Sequence, residues 1–97
     1  MTTEIAIAAD PVLSLVAAAR AAEEAAKAAA RQSGGNVPGP YGEAADDALS
    51  VAYRTAPTTL AGIAALASLA LDMEYPDTEV AEALRSIVRA ASALSLS

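Results

Sequence analysis

Alanine accounts for 28 of the 97 residues of this chain, and no other feature of the sequence restricts its fold as strongly. Alanine has the highest helix propensity of any residue, but its methyl group adds little apolar area to a core. The β-branched and aromatic residues are too scattered to predict strands. Since a chain of this length forms one domain, the sequence predicts a single all-α domain, residues 1–97, with a thin core.

The charged and reactive residues disfavour several classes of function. Twelve acids against six bases give a net charge of −6, which disfavours nucleic acid and anionic membranes because both attract clustered Lys and Arg. The chain has no cysteine, so it forms no disulfides or thiolate metal sites. Glu4 stands where a signal peptide needs a base, and no export signal is predicted. We therefore expect a cytoplasmic protein that binds no nucleic acid, membrane or cofactor.

Capping and helix-breaking residues divide the chain into about four predicted helices. Residues 1–9 are expected to form a loose arm, after which Asp10 caps the first helix and Pro11 takes its first turn. A Gly/Pro-rich connection, residues 33–41, follows this helix. The predicted fold is a small helical bundle in which helices three and four form an antiparallel hairpin. The predicted helices cover residues 11–32, 41–54, 59–73 and 78–94.

The third predicted helix lies in a stretch without charge between Arg54 and Asp72. A membrane anchor, a binding element and the centre of a soluble core are the three interpretations of such a stretch. A membrane span needs about 20 apolar residues, whereas this helix starts after Pro57 and ends in acids near Met73. We therefore predict a central buried helix.

Within that helix, large apolar residues cover about 200° of the circumference and small residues fill most of the remainder. We expect Ile63 and Leu66 in the core and Gly62 at a close approach between helices. The first and fourth helices each carry one apolar stripe at steps of three and four residues. The predicted stripes are Val12, Leu15, Ala19, Ala22, Ala26 and Ala29, and Val80, Ala83, Leu84, Ile87, Ala91 and Leu94.

The segment APTTLAGIAAL, Ala56 to Leu66, resembles the Pro-Thr-Thr-Leu-Ala-Gly motif of short alphaproteobacterial helical proteins of unknown function. DPVLSLVAAARAAEEAA resembles the opening helix of that family, and LRSIVRAASAL resembles its closing helix. The resemblance touches most of the chain, but only the central motif is specific. The segments AAARAA and ALASLA lack the His and aromatic residues of that family's helices. The resemblance implies a helical fold and a bacterial source, and it implies no activity.

Two polar groups of the sequence could carry chemistry. Thr58 and Thr59 are candidate nucleophiles, but a hydroxyl needs a base and there is no His, Cys or nearby Lys, so we predict that Thr58 caps the third helix. The acids where the third predicted helix turns into the fourth, Asp72, Glu74, Asp77 and Glu79, could bind Ca²⁺ or Mg²⁺ weakly, but their spacing does not match an EF-hand loop. We interpret them as solvated residues that favour the start of the fourth helix.

The sequence therefore favours a non-enzymatic helical interaction protein that assembles with itself or with a protein partner. A homodimer is expected, because Leu13 and Val16 point away from the main stripe of an alanine-rich first helix. The alternative is a small acidic inhibitor or mimic whose acids at 43–47 and 72–82 bind a basic protein surface. The predicted interaction residues are Leu13, Val16, Asp72, Glu74, Asp77 and Glu79.

Overall fold

In a computed structural model, the described part of the chain, residues 10–96, consists of four α-helices and contains no strand. They are α1 (Pro11–Gln32), α2 (Gly39–Arg54), α3 (Leu60–Glu74) and α4 (Thr78–Leu96). The all-α prediction is confirmed. The predicted arm, residues 1–9, lies outside the described residues.

The ends of α1 follow from its sequence. The Val12 amide donates to Asp10 Oδ1 at 3.0 Å, and Pro11 occupies the first turn, where no amide hydrogen is needed. At the other end, Gly34 and Gly35 have φ angles of 75° and 105°, a region that glycine enters without steric cost. The Gly35 amide donates to the Ala30 carbonyl at 2.7 Å, which satisfies one of the last carbonyls of the helix.

The second helix begins earlier than predicted, at Gly39, so the connection is shorter than residues 33–41. Pro40 lies in the first turn of α2, where a proline fits the helix because that turn has no internal amide bonds to lose. The amides of Tyr41 and Gly42 both donate to the carbonyl of Pro38. The connection predicted from its Gly and Pro content therefore contributes its last residues to the helix.

The helices pack in the spatial order α2, α1, α3, α4. Helices α3 and α4 form the expected antiparallel hairpin around a turn at residues 75–77, and α1 packs against α2 and against α3. The radius of gyration is 15.5 Å, whereas a compact domain of this length has about 12–13 Å. The extents of 48 × 39 × 20 Å describe an open, flat arrangement in which α4 is an outer helix.

The core lies where α1, α2 and α3 meet. It contains Val12, Val16, Ala19, Ala52 and Leu69, of which Leu69 and Val12 are the largest fully buried side chains. The prediction that Val16 points away from the main stripe is wrong, because its side chain is only 6% exposed. Since α1 has a neighbour on two sides, its buried surface is wider than one stripe.

Helix α3 occupies the central position that its composition predicts, with Gly62, Ala67 and Leu69 buried. However, Ile63 and Leu66, which we expected to be core residues, are only half-buried, although Leu66 packs against the core. The physical reason is the open arrangement, in which α3 has helices on two sides and an uncovered arc between them. No helix among the described residues is long and apolar enough to cross a membrane.

Candidate interaction surface

Helix α4 carries an uncovered apolar surface that includes three large exposed residues. At about 100° per residue, its apolar side chains cover about half of the helix circumference. Helix α3 covers one part of this arc, where Ala81 and Ala91 are buried and Leu84 and Val88 are half-buried. The remaining part faces outward.

The outward part forms a line of large and small residues that we call the α4 outer stripe. Val80 is 50% exposed, Ile87 43% and Leu94 60%, and the two alanines between them are exposed as well. The stripe is about 21 Å long, since 14 residues rise by about 1.5 Å each. Its members are Val80, Ala83, Ile87, Ala90 and Leu94.

The predicted single stripe on this helix is therefore partly wrong. Of its large members, Leu84 is half-buried, whereas Val80, Ile87 and Leu94 are exposed. A single neighbouring helix covers only a narrow arc, and α3 covers the part that holds Ala81, Leu84, Val88 and Ala91. The sequence pattern locates the apolar arc correctly but does not reveal which half α3 covers.

A second candidate site surrounds the buried carboxylate of Asp10, which the sequence predicts only as a cap for α1. Its Oδ1 accepts from the Val12 amide, while its Oδ2 accepts from the amides of Thr58 and Thr59 at 3.1 and 2.9 Å. The Thr59 hydroxyl also donates to Oδ2, at 2.6 Å, and in turn accepts from the Gly62 amide at 3.0 Å. One carboxylate thus joins the starts of two helices.

These contacts determine what the Asp10 cluster can do. The hydroxyl bond from Thr59, helped by the three backbone amides, lowers the pKa of Asp10 from its ordinary value of 3.8, although burial acts in the opposite direction. An acid that stays ionised while it accepts hydrogen bonds is a poor proton acceptor for a nucleophile. Thr59 is the N-cap of α3, in place of the predicted Thr58, because its hydroxyl reaches the Gly62 amide. The geometry is that of capping.

The acids predicted to interact with a partner are spread over different environments. Asp72 pairs with Arg20 at 2.8 Å, and Glu74 accepts a hydrogen bond from the Tyr53 hydroxyl at 2.9 Å. Burial and this acceptor together raise the pKa of Tyr53 above its ordinary value of 10.0. Both contacts tie the end of α3 to α1 and α2.

The other two acids, Asp77 and Glu79, are exposed at the start of α4, where negative charge favours the helix dipole. The residues that the structure describes contain no group of three or more acids that could hold a metal ion. Leu13, the remaining predicted interaction residue, is 42% exposed on the first turn of α1. The structure therefore does not bring the six predicted interaction residues together on one surface.

An open cleft lies between α1 and the end of α3 and encloses about 380 Å³. Its charged residues include Arg20 with Asp72 and Lys27 with Glu24, and these partners contact one another. Tyr75 at its edge is 87% exposed. Four of the five charged side chains in the cleft thus pair within the chain, and we do not assign it a ligand.

Comparison of the chain with protein-family models, with curated proteins and with solved structures found no match.

Proposed function

We propose that this chain is a non-enzymatic helical interaction protein that acts in the cytoplasm and binds another helix along the α4 outer stripe. The observation that supports this proposal is the exposure of Val80, Ile87 and Leu94 in one line on an outer helix. Apolar side chains at this spacing are the pattern by which an amphipathic helix packs against another helix. We also propose that the chain is related to the short alphaproteobacterial helical proteins that carry the same central motif.

The polar clusters do not favour catalysis. The Thr59 hydroxyl and the Asp10 carboxylate are both engaged in capping, and Asp10 is only 5% exposed to solvent. Nucleophilic catalysis needs a hydroxyl next to a group that can take its proton. An ionised acid with a lowered pKa at the start of two helices is explained by the stability of those helices.

The acidic-inhibitor alternative is less well supported by the contacts. Asp72 and Glu74, which would bind a basic partner, already contact Arg20 and Tyr53. The exposed acids of α2, Asp46 among them, lie on a different helix from Asp72 and Glu74, which are at the end of α3. A basic partner would therefore find the negative charge divided between separate parts of the molecule.

The proposal is tested by capturing binding partners on the immobilised chain from an extract of the cells that produce it. The wild type is compared with Ile87→Glu and with a matched control, Ser92→Glu, which adds the same charge at an exposed position outside the stripe. We expect the wild type and the control to retain the same protein, or further copies of the chain itself, and Ile87→Glu to lose it.

Identical retention by all three variants would contradict a role for the stripe. Retention that depends on Asp46 and Asp47, and that is lost at high salt, would support the acidic alternative in its place. Circular dichroism of each variant shows whether the fold is intact, which we expect because both substituted side chains are exposed.

A further inference from the structure

We propose that the α4 outer stripe docks a second copy of this chain, with the two α4 helices antiparallel about a two-fold axis. This inference depends on the proposed function, because it names the occupant of the same surface. It moves the expected dimer contact from α1, where Val16 is buried, to α4.

The position of α4 makes the α4 outer stripe accessible to a partner as large as a second copy of the chain. Helix α4 packs mainly against α3, on the side away from α1 and α2. Because α4 is the last helix in the spatial order α2, α1, α3, α4, it forms one edge of the described molecule, which is 20 Å thick in its shortest dimension. Two copies can therefore meet edge to edge through α4 while their α1–α2 pairs remain apart.

The order of side-chain sizes along the stripe fits a reversed copy of itself. Large residues recur every seven positions, at 80, 87 and 94, and alanines lie between them at 83 and 90. When such a helix packs against its reversed copy, a large residue can face an alanine, as Ile87 would face Ala90 of the second copy. Opposed large and small side chains interdigitate and permit close packing.

A parallel arrangement does not have this property. It would place Ile87 against Ile87 of the second copy and alanine against alanine in the next layer. The large layers would hold the helices apart, and the alanine layers would then leave gaps, which forfeits contact energy. The size pattern therefore selects the antiparallel arrangement.

The zero formal charge of α4 permits this arrangement, and the helix dipoles favour it. The helix carries two acids in its first half, Glu79 and Glu82, and two bases further on, Arg85 and Arg89. Its formal charge is therefore zero, although the whole chain carries −6, so two α4 helices can meet without strong repulsion. Reversing one helix also opposes the two helix dipoles, whereas a parallel pair would align them side by side.

The absence of cysteine from the chain permits a direct test of orientation. Two single-cysteine variants, Val80→Cys and Leu94→Cys, are prepared, one of them labelled with ¹⁵N, and mixed before reaction with a short bis-maleimide. Mass spectrometry then separates products that join position 80 to position 94 from products that join like positions. The two positions are about 21 Å apart along one helix, which a short linker does not span within a parallel pair.

We expect the product between positions 80 and 94 to exceed each like-position product by at least tenfold. Adding Ile87→Glu to both variants should reduce it to the level of random collision, whereas adding Ser92→Glu should not. A majority of like-position products would overturn the antiparallel arrangement. Products at the collision level throughout would overturn the second copy as occupant, while stripe-dependent capture of a different protein would still support the proposed function.

Discussion

The carboxylate of Asp10 occupies the space that a side chain at position 62 would need. A Cβ atom built on Gly62 would overlap Oδ2 of Asp10 and would also lie 3.2 Å from Cβ of Pro57. Oδ2 is the same atom that receives the amides of Thr58 and Thr59. The contact is therefore one between a buried cap and the first turn of α3.

We expect Gly62→Ala to destabilise the protein by about 1–3 kcal/mol, because the added methyl group must displace the carboxylate and its hydrogen bonds. Helix propensity alone predicts the opposite sign, a stabilisation of up to about 1 kcal/mol. Gly42→Ala in α2 is the matched control, since its Cβ would meet Val37 Cγ1 at an ordinary 3.7 Å. Chemical denaturation measures both, and equal stabilisation by the two substitutions would show that position 62 has room.

The pH dependence of stability should carry the signature of Asp10. Its pKa is lower in the folded chain than the ordinary 3.8, so its contribution is present above that value and is lost as the pH falls through the folded pKa. Asp10→Asn keeps one acceptor for Val12 but removes the ionised acceptor for Thr58 and Thr59. We expect the variant to melt lower than the wild type at neutral pH, by about 10 °C.

The difference in melting temperature between the wild type and Asp10→Asn should shrink as the pH is lowered from about 5 to about 2, because the wild-type carboxylate becomes protonated. Thermal melts followed by circular dichroism measure this difference directly. A difference that is constant over the whole range would mean that the charge of Asp10 contributes nothing to the fold.

Much of the fold could be predicted because the helix ends are encoded locally. Asp10-Pro11 and the Gly34-Gly35 pair fix the bounds of α1, and a run of alanine has no comparable alternative to a helix. The Thr58 cap is wrong by one residue because the hydroxyl that reaches the Gly62 amide is that of Thr59, and Asp10, 49 residues away, accepts a hydrogen bond from this hydroxyl. Contacts at such a separation leave no local pattern.

The α4 outer stripe could be predicted only in part, because its exposure also depends on contacts between distant parts of the chain. The period of α4 reveals an apolar arc, but exposure of Ile87 depends on how many helices pack around it. The sequence predicts a closed bundle in which one stripe is buried, whereas the structure is open and α3 covers only one half of that arc. Similarly, Val16 is a core residue, contrary to our prediction, because α1 has neighbours on two sides.

The unequal burial within α3 leads to a prediction about its core residues. Leu69 is fully buried, whereas Ile63 is half-buried. We expect Leu69→Ala to cost about 3–5 kcal/mol of unfolding free energy, and Ile63→Ala to cost roughly half as much, because less apolar area is lost there. Urea titration of both variants checks the order, and a larger loss for Ile63→Ala would place the core on the other side of α3.

Tyr75 stores backbone strain at the end of α3. Its φ angle is 47°, in the left-handed region, and it is the only non-glycine residue with a positive φ among those the structure describes. Since its ring is 87% exposed, little packing offsets this conformation. We expect Tyr75→Gly to stabilise the protein by about 1 kcal/mol. A loss of stability would show that the ring makes a contact of its own, and Tyr75→Asn separates backbone from ring because asparagine tolerates this conformation.

The most direct test of the proposed interaction surface is the molar mass of the purified chain in solution, measured by light scattering after size exclusion at micromolar concentration and moderate salt. The chain has a mass of 9.6 kDa. We expect twice that mass for the wild type and for Ser92→Glu, and the mass of a single chain for Ile87→Glu. A single-chain mass for the wild type, or a doubled mass that persists in Ile87→Glu, would contradict self-association through α4.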